Sequence, residues 1–339
     1  MWTAWRQQRS LVIAMTTVAS IAGILLILMG RHESEVWHSF LANPCKGNLA
    51  VSSAYQAVCE GRLQAVVSAG QFNRIAMIVG VLLGPLFGSI LGVNAVAREL
   101  EVGTTRLAWT QSFSRRRWLM SKVFINGVFI LAMFLPLCLI YGWWNTAAHY
   151  SARISPSGFP ISGFLPLFYS LVSFSLVVLV GLFLRHAGWS LVTGLLVSAV
   201  LILVVEIGIR PMLISPQFTV VSPAEVSLGS TSGFYSSGGI PSNSWGRGNG
   251  YAPRGIRSTP SAQMLNKYSN KVNQCMNTSR GRTRSGSEYC IRHLGVEYVG
   301  LFVPSNDFWN LQLSESAIYL GFVLLLTTGS IIRLRRVLA

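Results

Sequence analysis

Six apolar runs of about 20 residues dominate this chain, and each is long enough to cross a membrane as a helix. Because a backbone in lipid must satisfy its own hydrogen bonds, isolated runs of this length form helices rather than open strands. The sequence therefore predicts an all-α polytopic membrane protein with six transmembrane helices. Their predicted limits are Leu11–Gly30, Arg74–Ala97, Val123–Asn145, Gly163–Leu184, Gly188–Arg210 and Ser316–Ile332.

The composition agrees with this class and argues against a nucleic-acid partner. Only 11% of the residues are charged, against about 25% in ordinary soluble domains. The net charge of +16 would suggest nucleic acid in a soluble protein. In a membrane protein, cytoplasmic loops and anionic headgroups both favour Lys and Arg. We therefore expect membrane lipid as a partner, and no nucleic acid.

Basic flanks predict the sidedness of the chain, because short segments rich in Lys and Arg resist translocation. Met1–Ser10 is basic and carries Trp2 and Trp5 three residues apart, which is typical of a short interfacial helix. A simple charged flank of the first span is the alternative. The first run lacks a small-residue cleavage site, so we expect it to be retained. Both termini are predicted to be cytoplasmic, the second because three arginines follow the last span: Arg333, Arg335 and Arg336.

Composition also predicts how the chain is divided. A transmembrane domain at 1–210, with an outer loop at 31–73, precedes an extracytoplasmic loop or cap at 211–315. The last span and its basic tail form 316–339. Within the cap, Ser222–Ala262 is rich in Gly, Ser, Pro and Asn and is predicted to be loop or weakly ordered.

Four glycines recur at every fourth position of the second span. Such spacing places them on one helix face and lets a neighbouring helix approach closely. A packing stripe is the favoured interpretation, and a hinge that moves during a cycle is the alternative. The residues are Gly80, Gly84, Gly88 and Gly92.

Four of the five cysteines fall in the two predicted outer loops, where thiols normally oxidise. Four cysteines allow three pairings. The local pairs Cys45–Cys59 and Cys275–Cys290 are favoured because each pair shares a loop. A zinc site is the alternative, but no C-x-x-C motif or nearby pair of histidines supports it.

One acid, Glu206, lies deep in an apolar run, where ionisable residues are candidates for a functional site. Arg210 follows four residues later, so an ion pair near the outer end of the fifth span explains the acid as well. Binding of a substrate or proton at Glu206 and Arg210 stays open as the alternative.

The segment Ala97–Lys122, between the second and third spans, is the most unusual loop. It holds six basic residues against two acids, Glu99 and Glu101, and its charge predicts a cytoplasmic position. Thr104 or Thr105 could cap a short helix that ends near Trp118 and lies along the membrane. We expect Trp109 and Trp118 to face lipid in such a helix.

Two kinds of chemistry find no support in the residues. The chain contains no G-x-x-x-x-G-K-[ST] phosphate loop, so ATP is not bound by that route. No two of the five histidines are four residues apart, and no cluster suits a membrane-embedded enzyme. We therefore predict that the chain is not an enzyme and that it binds no cofactor of its own.

The central segment resembles a known family. The run Arg98-Glu99-x-Glu101-x-Gly103-Thr104, followed by Leu107–Gln111 and Arg115–Trp118, is similar to the cytoplasmic segment of ABC-2-type transporter permeases, particularly those of actinobacteria. In that family the segment includes a coupling helix that docks on an ATP-binding subunit. The resemblance implies this role for Arg98, Glu99, Glu101, Gly103, Thr104, Arg106, Arg115, Arg116, Arg117 and Trp118.

The resemblance implies the membrane half of an ABC exporter that moves a drug, peptide or lipid-like substrate outward. Two copies of the permease would work with two ATP-binding subunits, which would hold the ATP and Mg. Glu99 and Glu101 would meet basic residues of that partner, and the complex would lie in the bacterial cell membrane. The long loop at 211–315 departs from typical members, which have a short re-entrant or small outer element before the last span. A non-transporting sensor or scaffold with a ligand-binding outer loop is the alternative.

Overall fold

Six helices of the structure are long and apolar enough to cross a membrane, which confirms the predicted class. The structure, a computed structural model, describes residues 2–42, 53–103, 114–147, 154, 158–221, 244–277 and 284–337. The membrane helices and their short continuations are α1 (Trp2–Ala42), α2 (Ser53–Gly92), α3 (Arg98–Val102), α4 (Arg115–Ala147), α5 (Leu165–Leu184), α6 (Ala187–Val204), α7 (Arg210–Leu213) and α10 (Phe308–Val337). Helices α8 (Ala262–Met276) and α9 (Arg284–His293) accompany the strands β1 (Gln217–Val221), β2 (Trp245–Pro253) and β3 (Val296–Val303).

Helices α1 and α2 are longer than predicted, since most of the expected outer loop at 31–73 is helical. Helix α1 continues to Ala42 and α2 begins at Ser53, well before the predicted start of the second span. Helix α1 runs without a break from Trp2 into the first span, so residues 2–10 form no separate helix, and an interfacial position of this segment stays a prediction. Apolar composition located the two spans but not their ends, since the polar residues beyond a span can continue the same helix.

The glycine stripe of α2 lies in a helix contact. A Cβ on Gly84 would lie 2.7 Å from the carbonyl oxygen of Pro166, one on Gly92 would lie 2.8 Å from that of Phe174, and one on Gly88 would overlap that of Ser170. Gly80 instead faces Tyr141 of α4. The absence of side chains at three successive turns therefore brings the backbones of α2 and α5 together.

Helices α5 and α6 form a tight hairpin. Arg185 adopts a left-handed conformation with φ of 52°, and extended His186 leads directly into α6 at Ala187. Gly194 of α6 packs on Val177 of α5, which keeps the two helices close. The hairpin also contacts the end of the second span, where Val93 and Ala97 form a buried cluster with Val177.

Contacts divide the chain into two units. One contains 1–150, 157–211 and 310–339, and the other contains 151–156 and 212–309. Residues 310–315, predicted to end the outer loop, lie in α10 and belong to the first unit.

The second unit contains a three-stranded antiparallel sheet in the order β1-β3-β2. The apolar strand β3 is central, and Val299 forms a core with Ala252 of β2 and Leu265 of α8. Strand β2 contradicts the prediction of a loop over that stretch: its glycines have weak strand propensity, but pairing with β3 stabilises the strand. Tyr251 and Tyr298 pair across the sheet, and burial raises the pKa of both phenols.

A disulfide joins α8 to α9 in this unit. Cys275 and Cys290 are bonded with their Cα atoms 5.9 Å apart. Of the predicted Cys45–Cys59 pair, Cys45 lies outside the described residues and only the backbone of Cys59 is described, so this pair stays a prediction. The stretch 222–243 of the predicted loop also lies outside the described residues. Cys138, the fifth cysteine, is a buried free thiol.

Candidate functional site

The predicted coupling segment begins where α2 ends. A π-helical turn, Val93–Ala97, joins α2 to α3, and buried residues Val96 and Ala97 anchor this turn in the bundle. None of the α3 residues is buried. Helix α3 ends at Gly103, whose φ of 76° is a left-handed conformation that glycine adopts without steric penalty. The backbone thus turns away from the helix axis just after the two acids.

Glu99 of α3 forms an ion pair with Lys122 of α4. The two side chains are 19% and 8% exposed, so this pair is much less solvated than an ordinary surface ion pair. Lys122 also lies over the Trp118 ring, with Nζ 5.8 Å from the ring centroid. Glu99 therefore ties the start of the coupling segment to the third span.

Glu101 caps a different helix. Its Oε2 accepts a hydrogen bond from the backbone N–H of Ala187, the first residue of α6, at 2.8 Å. The residue before it, His186, offers no side-chain cap of its own, and its Nε2 lies 3.8 Å from Glu101 Oε1. A carboxylate at a helix N-terminus satisfies an otherwise open N–H group and interacts favourably with the helix dipole. Glu101 therefore ties α3 to the fifth span.

The arginines near these two contacts point outward. Arg98, Arg116, Arg117 and Arg185 are exposed. Among the described residues none of the four forms an ion pair with a carboxylate, and Arg98 Nη1 donates to Asn94 Oδ1 at 3.2 Å. This end of the bundle is therefore strongly cationic on its solvent side.

The structure differs from the predicted coupling helix at its far end. Arg115 is the first residue of α4, so Arg115–Trp118 are the first turn of the third spanning helix rather than part of a helix along the membrane. Trp118 does not face lipid, because it is 9% exposed and belongs to the main buried cluster. The predicted site residues Thr104 and Arg106, with Trp109, lie outside the described residues, and only the backbone of Arg115 is described.

A second charged cluster lies at the other end of the fifth span. Arg210 donates from Nε to Glu315 Oε2 at 2.9 Å and from Nη2 to Glu315 Oε1 at 2.8 Å. Its Nη2 also lies 3.2 Å from Glu206 Oε1. The side chains of Arg210 and Glu315 are 4% and 0% exposed. This two-pronged pair joins α7 to α10 across 105 residues of sequence.

Aromatic side chains complete this cluster. Tyr169 of α5 donates its hydroxyl proton to Glu206 Oε1 at 3.0 Å, and the Arg210 guanidinium lies 4.9 Å from the centroid of Phe159. The Tyr319 ring meets that of Tyr169 edge-on at 5.2 Å. The Tyr319 side chain is fully buried. The cluster connects three spans, and a role of Glu206 in binding a substrate or proton stays a prediction.

Sequence reasoning missed several residues that contact the two acids of α3 and several that surround Arg210. Glu315 lies at the predicted boundary between the cap and the last span, where an acid attracts no attention. Tyr169 lies within an apolar run, and nothing in its neighbours indicates an ionic partner. Ala187 contributes only its N–H group, so no sequence signal could mark it. The short interval between the predicted fourth and fifth spans, which holds Arg185 and His186, was the available sign that a helix N-terminus lies at this end.

Comparison with known families decides the class of the chain. The family described as ABC-2 membrane transporter related matches residues 14–210, which is more than half of the chain. The chain belongs to this family. It is a multi-pass membrane protein and a membrane component of the ABC-2 type. No curated protein and no solved structure matches the chain.

The family match covers five of the six spans and both acids of α3. It ends at Arg210, so Glu315, α10 and the second unit lie beyond it. The coupling segment, the glycine stripe and Glu206 are thus in the part that the family shares. The resemblance to actinobacterial members stays a prediction, since the match does not separate bacterial groups.

Proposed function

We propose that this chain is the permease subunit of an ABC exporter. In this proposal it moves a drug, peptide or lipid-like substrate outward, with ATP and Mg held by a separate subunit. Two copies of the chain work with two ATP-binding subunits in the bacterial cell membrane. The observation that carries the proposal is the double attachment of α3, through Glu99 to α4 and through Glu101 to α6, within an ABC-2 family member.

The double attachment suits a segment on which a motor acts. A push on α3 would reach the third span through the Glu99–Lys122 pair and the fifth through the Glu101–Ala187 hydrogen bond. In this proposal the π-helical turn before α3 is the pivot, since such turns depart from regular helical hydrogen bonding and are frequent at functional sites. Movement of the segment would therefore tilt two spans relative to the second.

Charge supports a cytoplasmic position for this end of the bundle. Arg98, Arg116, Arg117 and Arg185 lie at the same end as Arg333, whose guanidinium is 4.4 Å from the ring centroid of Phe183 at the end of α5. Short basic segments stay in the cytoplasm. Both termini would then be cytoplasmic, and the second unit, inserted between the fifth and sixth spans, would lie outside.

A second candidate function follows from the second unit. It has its own sheet, core and disulfide, so it could bind a ligand outside and signal through the membrane without transport. A sensor of this kind needs no ATP-binding partner. The two candidates therefore differ in what should be bound at the cationic end.

Purification of the tagged chain from native membranes in a mild detergent tests the proposal. We expect a protein that carries the phosphate loop to co-purify and to hydrolyse ATP, and we expect the rate to change on reconstitution with the chain. Loss of this protein in an Arg116→Glu variant would locate its docking at the cationic end. If no ATP-binding protein co-purifies with the wild-type chain, the sensor is favoured instead.

A further inference from the structure

Carboxylates are scarce in the segments predicted to face the cytoplasm. Those segments contain two acidic side chains, Glu99 and Glu101, and the undescribed stretch 104–113 adds none. The same segments carry twelve basic side chains: Arg6, Arg9, Arg98, Arg106, Arg115, Arg116, Arg117, Lys122, Arg185, Arg333, Arg335 and Arg336. A partner that meets this face therefore encounters almost only positive charge.

Both acids are directed toward their own chain. Glu99 pairs with Lys122, whose side chain is 8% exposed, and Glu101 Oε2 accepts the Ala187 N–H. A carboxylate held in this way would have to break its internal contact before it could bind a basic residue of another protein. The two acids are thus better suited to holding helices together than to recognising a partner.

The arginines have the opposite arrangement. Arg98, Arg116, Arg117 and Arg185 are exposed. Arg116 and Arg117 lie in the first turn of α4, where the positive end of the helix dipole disfavours cations, so helix stability does not explain them. Exposed guanidinium groups are suited to two-pronged contacts with carboxylates of a partner.

We propose that the surface of the ATP-binding subunit that meets this end is acidic. Arg98, Arg116, Arg117 and Arg185 bind it, whereas Glu99 and Glu101 transmit its movement to the third and fifth spans. This inference rests on the proposed function and replaces the expectation that the two acids meet basic residues of the partner. Complementary charge of this kind speeds association and makes binding sensitive to salt.

A protein partner fits these arginines better than lipid headgroups do. The four residues come from α3, α4 and the turn between α5 and α6, which are joined by the Glu99–Lys122 and Glu101–Ala187 contacts. They therefore surround one joint between helices. Arginines that served only as headgroup anchors would require no such convergence.

The test measures binding of the ATP-binding subunit that co-purifies with the wild-type chain. The chain is placed in nanodiscs of phosphatidylcholine alone, so that no anionic lipid contributes, and affinity is measured at low and high salt. We expect salt to weaken binding by the wild type. The double variant Arg116→Glu with Arg117→Glu should lose about tenfold or more in affinity, since exposed charges at an interface set its salt-dependent attraction. Glu101→Gln, which removes the negative charge but keeps an acceptor oxygen, should change affinity by less than about twofold. Glu101→Ala, which also removes the acceptor for the Ala187 N–H, should reduce the effect of the chain on the rate of ATP hydrolysis.

Arg254→Glu with Arg257→Glu is the matched control. It makes the same change of charge at two exposed arginines of the second unit and should leave binding unchanged. Size-exclusion profiles check that each variant is folded. If the double reversal at Arg116 and Arg117 does not fold, Arg116→Ala and Arg117→Ala replace it, each with an expected loss of about threefold.

Several results would overturn the inference. Unchanged affinity after reversal of Arg116 and Arg117 would show that the arginines do not dock the subunit. An equally large loss for Glu101→Gln would return the recognition role to the acids. The same measurement is repeated in nanodiscs that contain phosphatidylglycerol. If the double variant loses affinity only there, the arginines bind lipid rather than the subunit. Failure to recover any ATP-binding subunit with the wild type would instead defeat the proposed function itself.

Discussion

The two ends of the membrane bundle both bring acidic and basic side chains together, but in different surroundings. At one end Arg210 and Glu315 are 4% and 0% exposed and form a two-pronged pair. At the other end Glu101 and His186 are 40% and 58% exposed, and the Glu99–Lys122 pair is intermediate. The difference is in solvation rather than in chemistry.

That difference separates a fixed contact from an adjustable one. An ion pair inside the bundle cannot exchange its partner for water, so loss of one member leaves a charge in a medium of low dielectric constant. A contact open to solvent loses little when it breaks, because water replaces the partner. The Arg210 cluster is therefore suited to hold three spans together, and the Glu101 contact is suited to form and break during a cycle.

The largest effect is expected from removal of the buried cation. Arg210→Met should lower the free energy of unfolding by about 3–5 kcal/mol, because Glu315 is left buried without its partner. Thermal denaturation in detergent measures the change, and Arg185→Met, at an exposed arginine, is the matched control. The double variant Arg210→Met with Glu315→Met should recover much of the loss. A single variant as stable as the wild type would break the comparison.

The contact between α2 and α5 connects the two ends, and its disruption should come next. Gly88→Ala places a methyl group on the Ser170 carbonyl oxygen and should destabilise the chain by about 1–3 kcal/mol, more if the helices separate. Gly84→Leu should impair assembly for the same reason. Gly127→Ala is the control, because a Cβ added there would have no neighbouring atom within 4 Å beyond its own helix backbone. Equal stability of the Gly88 and Gly127 variants in chemical denaturation would remove the stripe as a packing contact.

Mutation of the Glu99–Lys122 pair should cause an intermediate loss of stability. Lys122→Met removes the cation that pairs with Glu99, but Glu99 is partly exposed, so we expect the free energy of unfolding to fall by about 1–2 kcal/mol, between the buried and surface limits. The exchanged pair Glu99→Lys with Lys122→Glu should be more stable than Lys122→Met. A loss as large as that of Arg210→Met would show that this end is as rigid as the other.

The smallest loss of stability is expected at Glu101. Glu101→Ala removes the acceptor for the Ala187 N–H and should cost about 1 kcal/mol, the usual value of a helix cap. Glu101→Gln keeps an acceptor oxygen and should cost less. Denaturation of both variants beside Glu35→Ala, at an exposed acid, measures the difference. No difference between the Ala and Gln variants would show that the cap contributes nothing.

Some features were predictable because they depend on local spacing. Arg210 could be matched with Glu206 because four residues span one helical turn, and the contact is 3.2 Å in the structure. Glu315 could not, since it lies 105 residues from Arg210 and meets it only after the spans pack. Strand β2 shows the same limit: its glycines favour a loop, and pairing with β3 makes it a strand.

The sequence by itself determined that the chain has six helices long and apolar enough to cross a membrane, because the cost of burying polar backbone in lipid admits only helices for runs of this length. It also determined which segments are basic and that no phosphate loop is present. Only the tertiary structure decided what the two acids of α3 do. Their partners, Lys122 and the Ala187 N–H, lie 23 and 86 residues away, so the packing of the spans rather than any local pattern directs both carboxylates inward.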